Sequence, residues 1–184
     1  MQKNTKGLIA SIGSDRDRDF QTLASAARQL SNFSFEIHTS RKSIQNISMS
    51  PNIKIVTNAT PLQSRDLLQK AEIVIIPLHE TSRAAGQLAL VDALLMRKPV
   101  IVSKTRGIVE AYGLQNKKSA FLVPPEDSHT LIHAIQTLSS DSGLQRKIST
   151  GGFRIAIRYT TQRYAEKIQQ VINRVPTKSF SAAD

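Results

Sequence analysis

The chain has 184 residues, no cysteine and a formal net charge of +11, from 25 lysines and arginines against 14 aspartates and glutamates. This length suits one domain with its own hydrophobic core. The lack of cysteine excludes disulfides and thiolate metal sites and is compatible with a reducing cytoplasm. The apolar runs are too short to cross a bilayer and the first residues lack the apolar core of a signal peptide, so we expect a cytoplasmic protein.

The positive charge fits three classes of partner: nucleic acid, an anionic membrane surface and phosphorylated small molecules. Basic residues are spread from Lys3 to Lys178 with no run longer than two, and aromatic residues make up only 5% of the chain. The sequence therefore lacks both a basic arm and the stacking platforms that single-stranded nucleic acids use, which disfavours nucleic acid. Peripheral contact with an anionic membrane remains open.

Strand and helix patterns alternate along most of the chain. Apolar segments predict six strands, at residues 7–13, 33–38, 53–56, 72–78, 99–103 and 119–123. Helices are predicted between them, near Phe20, Pro61 (with Thr60 as its N-cap), Gly86 and Gly107, and three more follow, around Leu131, Leu144 and Tyr164. Gly151 and Gly152 are candidates to interrupt the second of these tail helices. The order predicts an α/β fold with a doubly wound parallel sheet over residues 1–174, and a flexible tail at 175–184.

The segment from residue 72 to 103 is the most informative. Residues 72–78 are a near-continuous β-branched run, typical of a strand buried on both faces of a parallel sheet, and a helix that is apolar around its circumference follows at 86–96. A helix N-terminus after such a strand places backbone N–H groups and the positive end of the helix dipole where open α/β sheets bind phosphates. Gly86, Gln87 and Leu88 are therefore candidate phosphate-binding residues, although Gly86 also reads as a plain turn glycine.

Asp92 is the one ionisable residue in the middle of this helix, which we expect to be buried. A buried carboxylate is costly unless its oxygens are hydrogen-bonded. Two interpretations stay open. In one, Asp92 accepts from a neighbouring backbone or hydroxyl group. In the other, it accepts from ligand hydroxyls, such as those of a ribose, beside a phosphate held at Gly86.

The turn out of the first strand is a second candidate site. Aspartate and arginine alternate after Gly13, a pattern typical of a solvated loop that pairs with itself. Its place at the carboxyl end of a parallel strand also makes Arg16 or Arg18 a candidate clamp for a diphosphate, because guanidinium donors suit phosphate oxygens.

Two other loops hold candidates. Ser82 and Arg83 are either ordinary loop residues or donors to a phosphate, and Asn58, after the third strand, is either a turn residue or a reader of a base edge. His79 and Glu80 follow the central strand and are the candidate catalytic or sugar-contacting groups. The histidines show no metal-ligand grouping, so no metal site is predicted.

Together these segments resemble the C-terminal, donor-binding half of retaining glycosyltransferases of the GT-B type, in the large family 4 group. The resemblance spans about residues 7 to 173 and is carried by residues 72–77, 85–87, 92–101, 107–110 and 120–127. It implies that Asp92 contacts the donor ribose and that Gly86, Gln87 and Leu88 hold the diphosphate.

The sequence also departs from this family. The acid that contacts the donor sugar in the family falls at Ala84, and the nearest carboxylate is Glu80. The family's arginine after the first-strand glycine is Ser14, and the nearest replacements for its lysine are Arg18 and Arg16. The donor diphosphate and sugar are therefore expected to meet a partly different set of side chains.

The resemblance predicts the donor half of a glycosyltransferase, which binds a nucleotide-diphosphate sugar without a metal or other cofactor. Enzymes of this type close two Rossmann-like domains over the donor, and this chain holds one. We therefore expect the acceptor to be held by an N-terminal domain or a separate partner chain, and the chain alone to transfer little. The alternative is a non-catalytic interaction module with a degenerate nucleotide-sugar site.

Overall fold

The computed structural model describes residues 5–45 and 47–174, so the predicted tail at 175–184 lies outside the described residues. Six strands are present in the described part: β1 (Leu8–Ile12), β2 (Ser34–His38), β3 (Ile53–Val56), β4 (Ile73–Ile76), β5 (Val100–Ser103) and β6 (Phe121–Val123). The α-helices of the same part are α1 (Phe20–Arg28), α2 (Pro61–Lys70), α3 (Gln87–Leu95), α4 (Arg106–Tyr112), α5 (Ser128–Ser140), α6 (Ser142–Ala156) and α7 (Thr161–Ile172). A short 3-10 helix spans Lys42–Ile44.

The strands form one parallel sheet in the order β3-β2-β1-β4-β5-β6. The chain starts in the middle at β1, builds outward to β3, returns to β4 beside β1 and builds to the other edge. This reversal opens a crevice at the carboxyl ends of β1 and β4, which is where open α/β sheets bind ligands. The predicted doubly wound sheet with a helical C-terminal part is confirmed.

Helices cover both faces of the sheet. On one face, α1 and α5 pack against apolar side chains that include Phe35 and Ile75. On the other, α2, α3 and the end of α6 pack against Val74, Val102 and their neighbours. All residues of β4 and β5 are buried, as their β-branched runs predicted. Each apolar side chain of these two strands contributes roughly 1.5–3 kcal/mol when fully buried, so β4 and β5 supply a large part of the core.

The start of α2 confirms the cap that the sequence predicts. The Thr60 hydroxyl accepts from the backbone N–H of Gln63 at 3.2 Å, and the Gln63 side-chain oxygen accepts from the backbone N–H of Thr60 at 2.8 Å. This reciprocal pair satisfies two backbone donors that the helix leaves free, with Pro61 at its first position.

Helix α6 continues through Gly151 and Gly152, so the predicted interruption is wrong. The two glycines are positions of close approach. A Cβ at Gly151 would collide with the backbone carbonyl of Lys118, and one at Gly152 with the side chain of Leu94. The missing side chains therefore let α6 lie directly against α3 and the turn before β6.

We expect Gly151→Ala to lower the free energy of unfolding by about 1–3 kcal/mol, because the new methyl group meets a backbone carbonyl that cannot move aside. Gly143, in the first turn of the same helix, supplies the control: its Cβ would lie 3.2 Å from Asp141 Oδ1, a side-chain atom that needs to move by only a few tenths of an ångström. Gly143→Ala should change the free energy of unfolding by less than about 1 kcal/mol. Urea unfolding measures both, and equal effects would contradict the close-approach explanation.

Lys98 is a buried cation that joins the start of β5 to the end of α2. Its Nζ donates to the carbonyl oxygens of Gln69 at 2.6 Å and Ala71 at 2.9 Å, and the residue is 5% exposed. Burial lowers the pKa of Lys98 from 10.5 to about 8.

This lowered pKa makes stability depend on pH in a defined window. Between about pH 8 and about pH 10.5 the unfolded chain binds more protons than the folded chain, so the free energy of unfolding rises with pH. Across that window, wild type should gain about 2–3 kcal/mol relative to Lys98→Met. Urea unfolding at a series of pH values tests this, with Lys70→Met, an exposed lysine of α2, as the control that keeps the slope. A wild-type curve parallel to that of Lys98→Met would show that Lys98 does not titrate there.

Candidate functional site

A cleft of about 750 Å³ opens at the carboxyl edge of the sheet, a size typical of small-molecule sites. The cleft is lined by segments from five places in the chain. They are the loop after β1 (Gly13, Ser14, Asp15, Arg18), the end of β2 and the residues after it (His38, Thr39, Ser40), the loop after β3 (Thr57, Asn58, Ala59), the first turn of α2 (Ser64), and the loop before α3 with the first part of that helix (Arg83, Ala84, Ala85, Gly86, Gln87, Leu88, Ala89, Asp92). The cleft thus joins loops that are up to 73 residues apart in sequence, between Gly86 and Gly13.

Arg18 lies between two glycines at the floor of this cleft. A Cβ at Gly13 would collide with its guanidinium, and one at Gly86 would come within 3.4 Å of its Nη2. Both glycines have positive φ angles, +132° and +74°, which side-chain-bearing residues rarely adopt. Gly13 therefore leaves room for the guanidinium, and Gly86 lets the start of α3 approach Ile76 beside it.

The Arg18 guanidinium is only partly satisfied by the protein. The residue is 6% exposed, and its Nε donates to Asp15 Oδ2 at 3.1 Å. Its Nη1 is buried and has no hydrogen-bond partner among the described residues. Burial lowers the pKa of Arg18 and Asp15 opposes that change, but an arginine stays charged at neutral pH. A buried cation with a free donor beside a cleft favours an anionic ligand.

The N-terminus of α3 adds to the same positive region. Gly86 is its N-cap, and no side chain caps the backbone N–H groups that follow at Gln87 and Leu88. These groups carry the positive end of the helix dipole. Arg18 and the helix end therefore meet at one place, as an anion-binding site requires.

Helix α3 is not buried on all sides, so the expectation that Asp92 is a buried carboxylate is wrong. Leu88, Asp92 and Leu95 are exposed and share one face, while Ala89, Leu90, Ala93 and Leu94 are buried. The physical reason is that Leu88 and Leu95 face outward, so the helix is amphipathic although its sequence is almost entirely apolar. Asp92 lines the cleft one helical turn after Leu88, with its carboxylate accessible to a ligand.

Arg83 and Arg16 differ in where they lie. Arg83 Nη2 and Nε donate to Asp17 Oδ2 at 2.6 and 3.0 Å, which joins the loop after β4 to the loop after β1 at the rim of the cleft. The Arg16 side chain is 80% exposed, lies 3.7 Å from Asp17 and is not part of the cleft lining. The alternating loop therefore pairs with itself, as one interpretation held, while Arg18 from the same loop reaches the cleft.

Three other predicted residues stay outside the cleft lining: Ser82, His79 and Glu80. His79 Nδ1 lies 2.8 Å from Glu126 Oε1, a contact that links the loops after β4 and β6. Among the described residues, the carboxylates that line the cleft are Asp15 and Asp92. Neither of the two candidate catalytic residues, His79 and Glu80, therefore lines this cleft.

The sequence analysis missed a polar wall at the end of β2. His38 is buried, with Nδ1 3.1 Å from the Ser64 hydroxyl and Nε2 2.9 Å from Glu36 Oε1. Burial alone would raise the pKa of Glu36, but hydrogen bonds from His38 and Lys54 outweigh it and lower that pKa. Glu36 is therefore a carboxylate that accepts from His38, and the Ser64 hydroxyl is held at the cleft.

The signal for this wall was the alternation within β2. Glu36 and His38 share one face of the strand, and the opposite face carries Phe35 and Ile37. Two polar residues on one face at the carboxyl end of a parallel strand mark a side that no apolar layer covers.

The sequence matches a known protein family. A family model described as "Glycosyl transferases group 1" matches residues 7–141. The chain belongs to this family. A comparison with curated protein sequences gives no match.

Solved structures agree on the fold. A glycosyltransferase from Rickettsia africae ESF-5 is 18% identical with a TM-score of 0.71, over 91% of this chain and 47% of that one. Anabaena Alr3699/HepE, solved in complex with UDP and glucose, is 15% identical with a TM-score of 0.76, over 92% and 49%. The C-terminal domain of LpcC, a group 1 family protein from Francisella tularensis, is 17% identical with a TM-score of 0.66, over 86% and 89%. The chain therefore has the Rossmann-like fold of one half of a GT-B glycosyltransferase and spans about half of the two longer structures.

We expect Asp15→Asn to destabilise the chain by about 1–2 kcal/mol, because it removes the carboxylate that compensates the buried Arg18. The double variant Asp15→Asn/Arg18→Met should lose less than the sum of the two single variants, since no buried cation is left unpaired. Asp17→Asn breaks a more exposed pair with Arg83 and should cost under about 1 kcal/mol. Urea unfolding gives all the values, and strict additivity of Asp15 and Arg18 would contradict the coupling.

Proposed function

We propose that this chain is the donor-binding half of a glycosyltransferase and that its cleft binds a nucleotide-diphosphate sugar. The observation that carries this proposal is Arg18, a buried guanidinium whose Nη1 has no hydrogen-bond partner among the described residues and whose Nη2 lies near Gly86 at the uncapped start of α3. A diphosphate supplies the negative charge and the acceptor oxygens that both groups lack. The family match supports the reaction class, and a structural neighbour, Anabaena Alr3699/HepE, is described in complex with UDP-glucose.

The lining suggests how such a donor would lie. Its diphosphate would rest on the backbone of Gly13, Gln87 and Leu88 above Arg18, with Arg83 at the rim as a further donor. Asp92, exposed in the second turn of α3, would accept from the ribose hydroxyls. The nucleobase would then extend across the carboxyl ends of β2 and β3 toward Asn58 and the polar wall of His38 and Ser64. This arrangement gives the diphosphate, the ribose and the base of the donor backbone or side-chain groups of matching chemistry.

The same positive groups would serve the transfer step. When the bond between the anomeric carbon and the diphosphate breaks, negative charge grows on the leaving phosphate. Arg18, Arg83 and the α3 N-terminus would stabilise that charge, and the contacts of the two arginines with Asp15 and Asp17 support this role because they hold the side chains in place. We propose that they do this without a metal ion, and that configuration at the anomeric carbon is retained, as the resemblance to the family implies.

We further propose that the acceptor is held by another domain or a separate chain. The chain spans 47% and 49% of two of the longer structures that it resembles. Ala84 stands where the family resemblance places a sugar-contacting acid, and His79 and Glu80 lie outside the cleft lining. By itself, this half is therefore expected to bind the donor and to transfer little.

Titration calorimetry with UDP, GDP, ADP and their sugar conjugates tests donor binding directly. We expect saturable binding of one nucleotide, with Arg18→Met and Asp92→Ala each lowering affinity at least about tenfold, the loss of about 1.4 kcal/mol. Glu110→Ala removes an exposed carboxylate of α4 outside the cleft lining and should leave affinity unchanged.

Two results would count against the proposal. A folded wild-type chain that binds none of these nucleotides would favour the alternative of a non-catalytic module with a degenerate site. Binding that Arg18→Met and Asp92→Ala leave intact would place the nucleotide elsewhere on the chain.

A further inference from the structure

Three polar side chains in contact with one another end in the cleft. Glu36 Oε1 lies 2.9 Å from His38 Nε2, and His38 Nδ1 lies 3.1 Å from the Ser64 hydroxyl. His38 is buried, and both of its ring nitrogens have partners within the chain. His38 and Ser64 line the cleft, whereas Glu36 lies outside the lining. The contacts therefore connect a carboxylate outside the cleft to a hydroxyl inside it.

The carboxylate end of this relay determines where the ring hydrogen of His38 lies. Lys54 Nζ donates to Glu36 Oε2 at 3.0 Å. Burial alone would raise the pKa of Glu36, but the hydrogen bonds from His38 and Lys54 outweigh it and lower that pKa. Glu36 is therefore ionised at neutral pH, and an ionised carboxylate only accepts hydrogen bonds. The contact with Glu36 consequently requires that His38 Nε2 carry a hydrogen.

This ring hydrogen in turn fixes the direction of the Ser64 hydroxyl. In a neutral imidazole one nitrogen donates and the other accepts, so His38 Nδ1 is the acceptor when Nε2 carries the hydrogen. The hydrogen in the contact with Nδ1 then belongs to Ser64, and a hydroxyl has only one. Toward the cleft, Ser64 offers only the lone pairs of its oxygen. The relay therefore makes Ser64 a hydrogen-bond acceptor for a ligand.

A second hydroxyl supports a polar ligand in this part of the cleft. Thr39 follows His38 in the chain, lines the same cleft and is 7% exposed. Its Oγ1 is buried and has no hydrogen-bond partner among the described residues. A buried hydroxyl without a partner is costly, and the edge of a nucleobase, which carries both N–H donors and acceptor atoms, would satisfy Thr39 as well as Ser64.

We propose that the relay of Glu36, His38 and Ser64 selects a nucleobase that presents an N–H group to Ser64. Ser64 would contact the base, while His38 and Glu36 act as positioning residues that keep its hydroxyl hydrogen away from the ligand. A base whose N–H is replaced by N–CH₃ would leave Ser64 without a donor and would be rejected. This inference rests on the proposed function, because it requires that a nucleotide bind in the cleft with its base toward β2 and β3.

The variant Glu36→Gln should reverse the direction of the relay. Lys54 only donates, so the amide oxygen of the new side chain should stay at Lys54 and its NH₂ group should face His38 Nε2. The ring hydrogen would then move to Nδ1, and Ser64 would point its hydrogen into the cleft against the N–H of the base. Asp66→Asn is the matched control, because it makes the same change at an exposed carboxylate of α2 outside the cleft lining.

Titration calorimetry of the full chain with nucleotide pairs tests this selection. The pairs are UDP and 3-methyl-UDP, GDP and 1-methyl-GDP, and ADP and its N6-dimethyl analogue. For the nucleotide that binds, wild type and Asp66→Asn should prefer the unmethylated form at least about tenfold. Ser64→Ala and Glu36→Gln should bring the ratio of the two affinities close to one. A purely structural role would weaken both members of a pair equally and leave their ratio unchanged.

Nitrogen-15 NMR of the histidine rings at about pH 8 tests the relay without any nucleotide. We expect the hydrogen of His38 on Nε2 in wild type and on Nδ1 in Glu36→Gln, with His38→Asn to assign the signals. A wild-type ring with its hydrogen on Nδ1, or with hydrogens on both nitrogens, would overturn the relay. Nucleotide binding with no preference between the members of a pair would overturn the selection alone. If no nucleotide binds to the folded chain, the proposed function fails and the selection fails with it.

Discussion

A guanidinium enclosed by two glycines is the constraint on which the carboxyl edge of this sheet depends. A Cβ at Gly13 would collide with the Arg18 guanidinium, and Gly86, where a Cβ would collide with Ile76, lies at contact distance from the same group. The chain fixes this position from the backbone as well, since Arg18 forms a β-bridge with Leu78 and the N–H of Asp19 donates to the Pro77 carbonyl at 3.1 Å. The loop after β1 is thereby tied to the end of β4, and the switch point of the sheet receives a fixed positive charge.

The carboxylates around Arg18 offset part of the free-energy cost of burying its charge, which the proposed function needs at this place. Asp15 compensates Arg18 from one side, and Asp17 holds Arg83 at the rim. Without these carboxylates two arginines and a helix N-terminus would repel one another within one small region. An incoming phosphate would take over part of the role that the aspartates fill, so the loop keeps the positive groups in place before any anion arrives. The two aspartates that alternate with the arginines in this loop supply that compensation.

Local sequence patterns predicted the strands and helices of the fold. They failed where contacts between distant segments determine the structure. The β-branched runs of β4 and β5 and the Thr60 cap depend on near neighbours, and the structure confirms them. The requirement for glycine at position 151 of α6 depends on the carbonyl of Lys118, which no local pattern reveals. In the cleft, the sequence could not separate Arg16 from Arg18, since both follow Gly13 at similar spacing. The bridge to Leu78 selects Arg18, and that bridge is a tertiary contact.

The exposed apolar residues of α3 and α7 show a further limit of predicting burial from the hydrophobicity of a sequence. Apolar residues at helical spacing show that a face is suited to being covered, whether or not the described chain covers it. Leu88 and Leu95 give α3 its almost uniformly apolar sequence, yet both face outward, and Leu88 lines the cleft. The apolar residues Tyr164, Ile168, Val171 and Ile172 of α7 are likewise exposed. An apolar pattern at helical spacing therefore predicts the helix and the face that can be covered, while tertiary contacts that the pattern does not contain determine whether that face is buried.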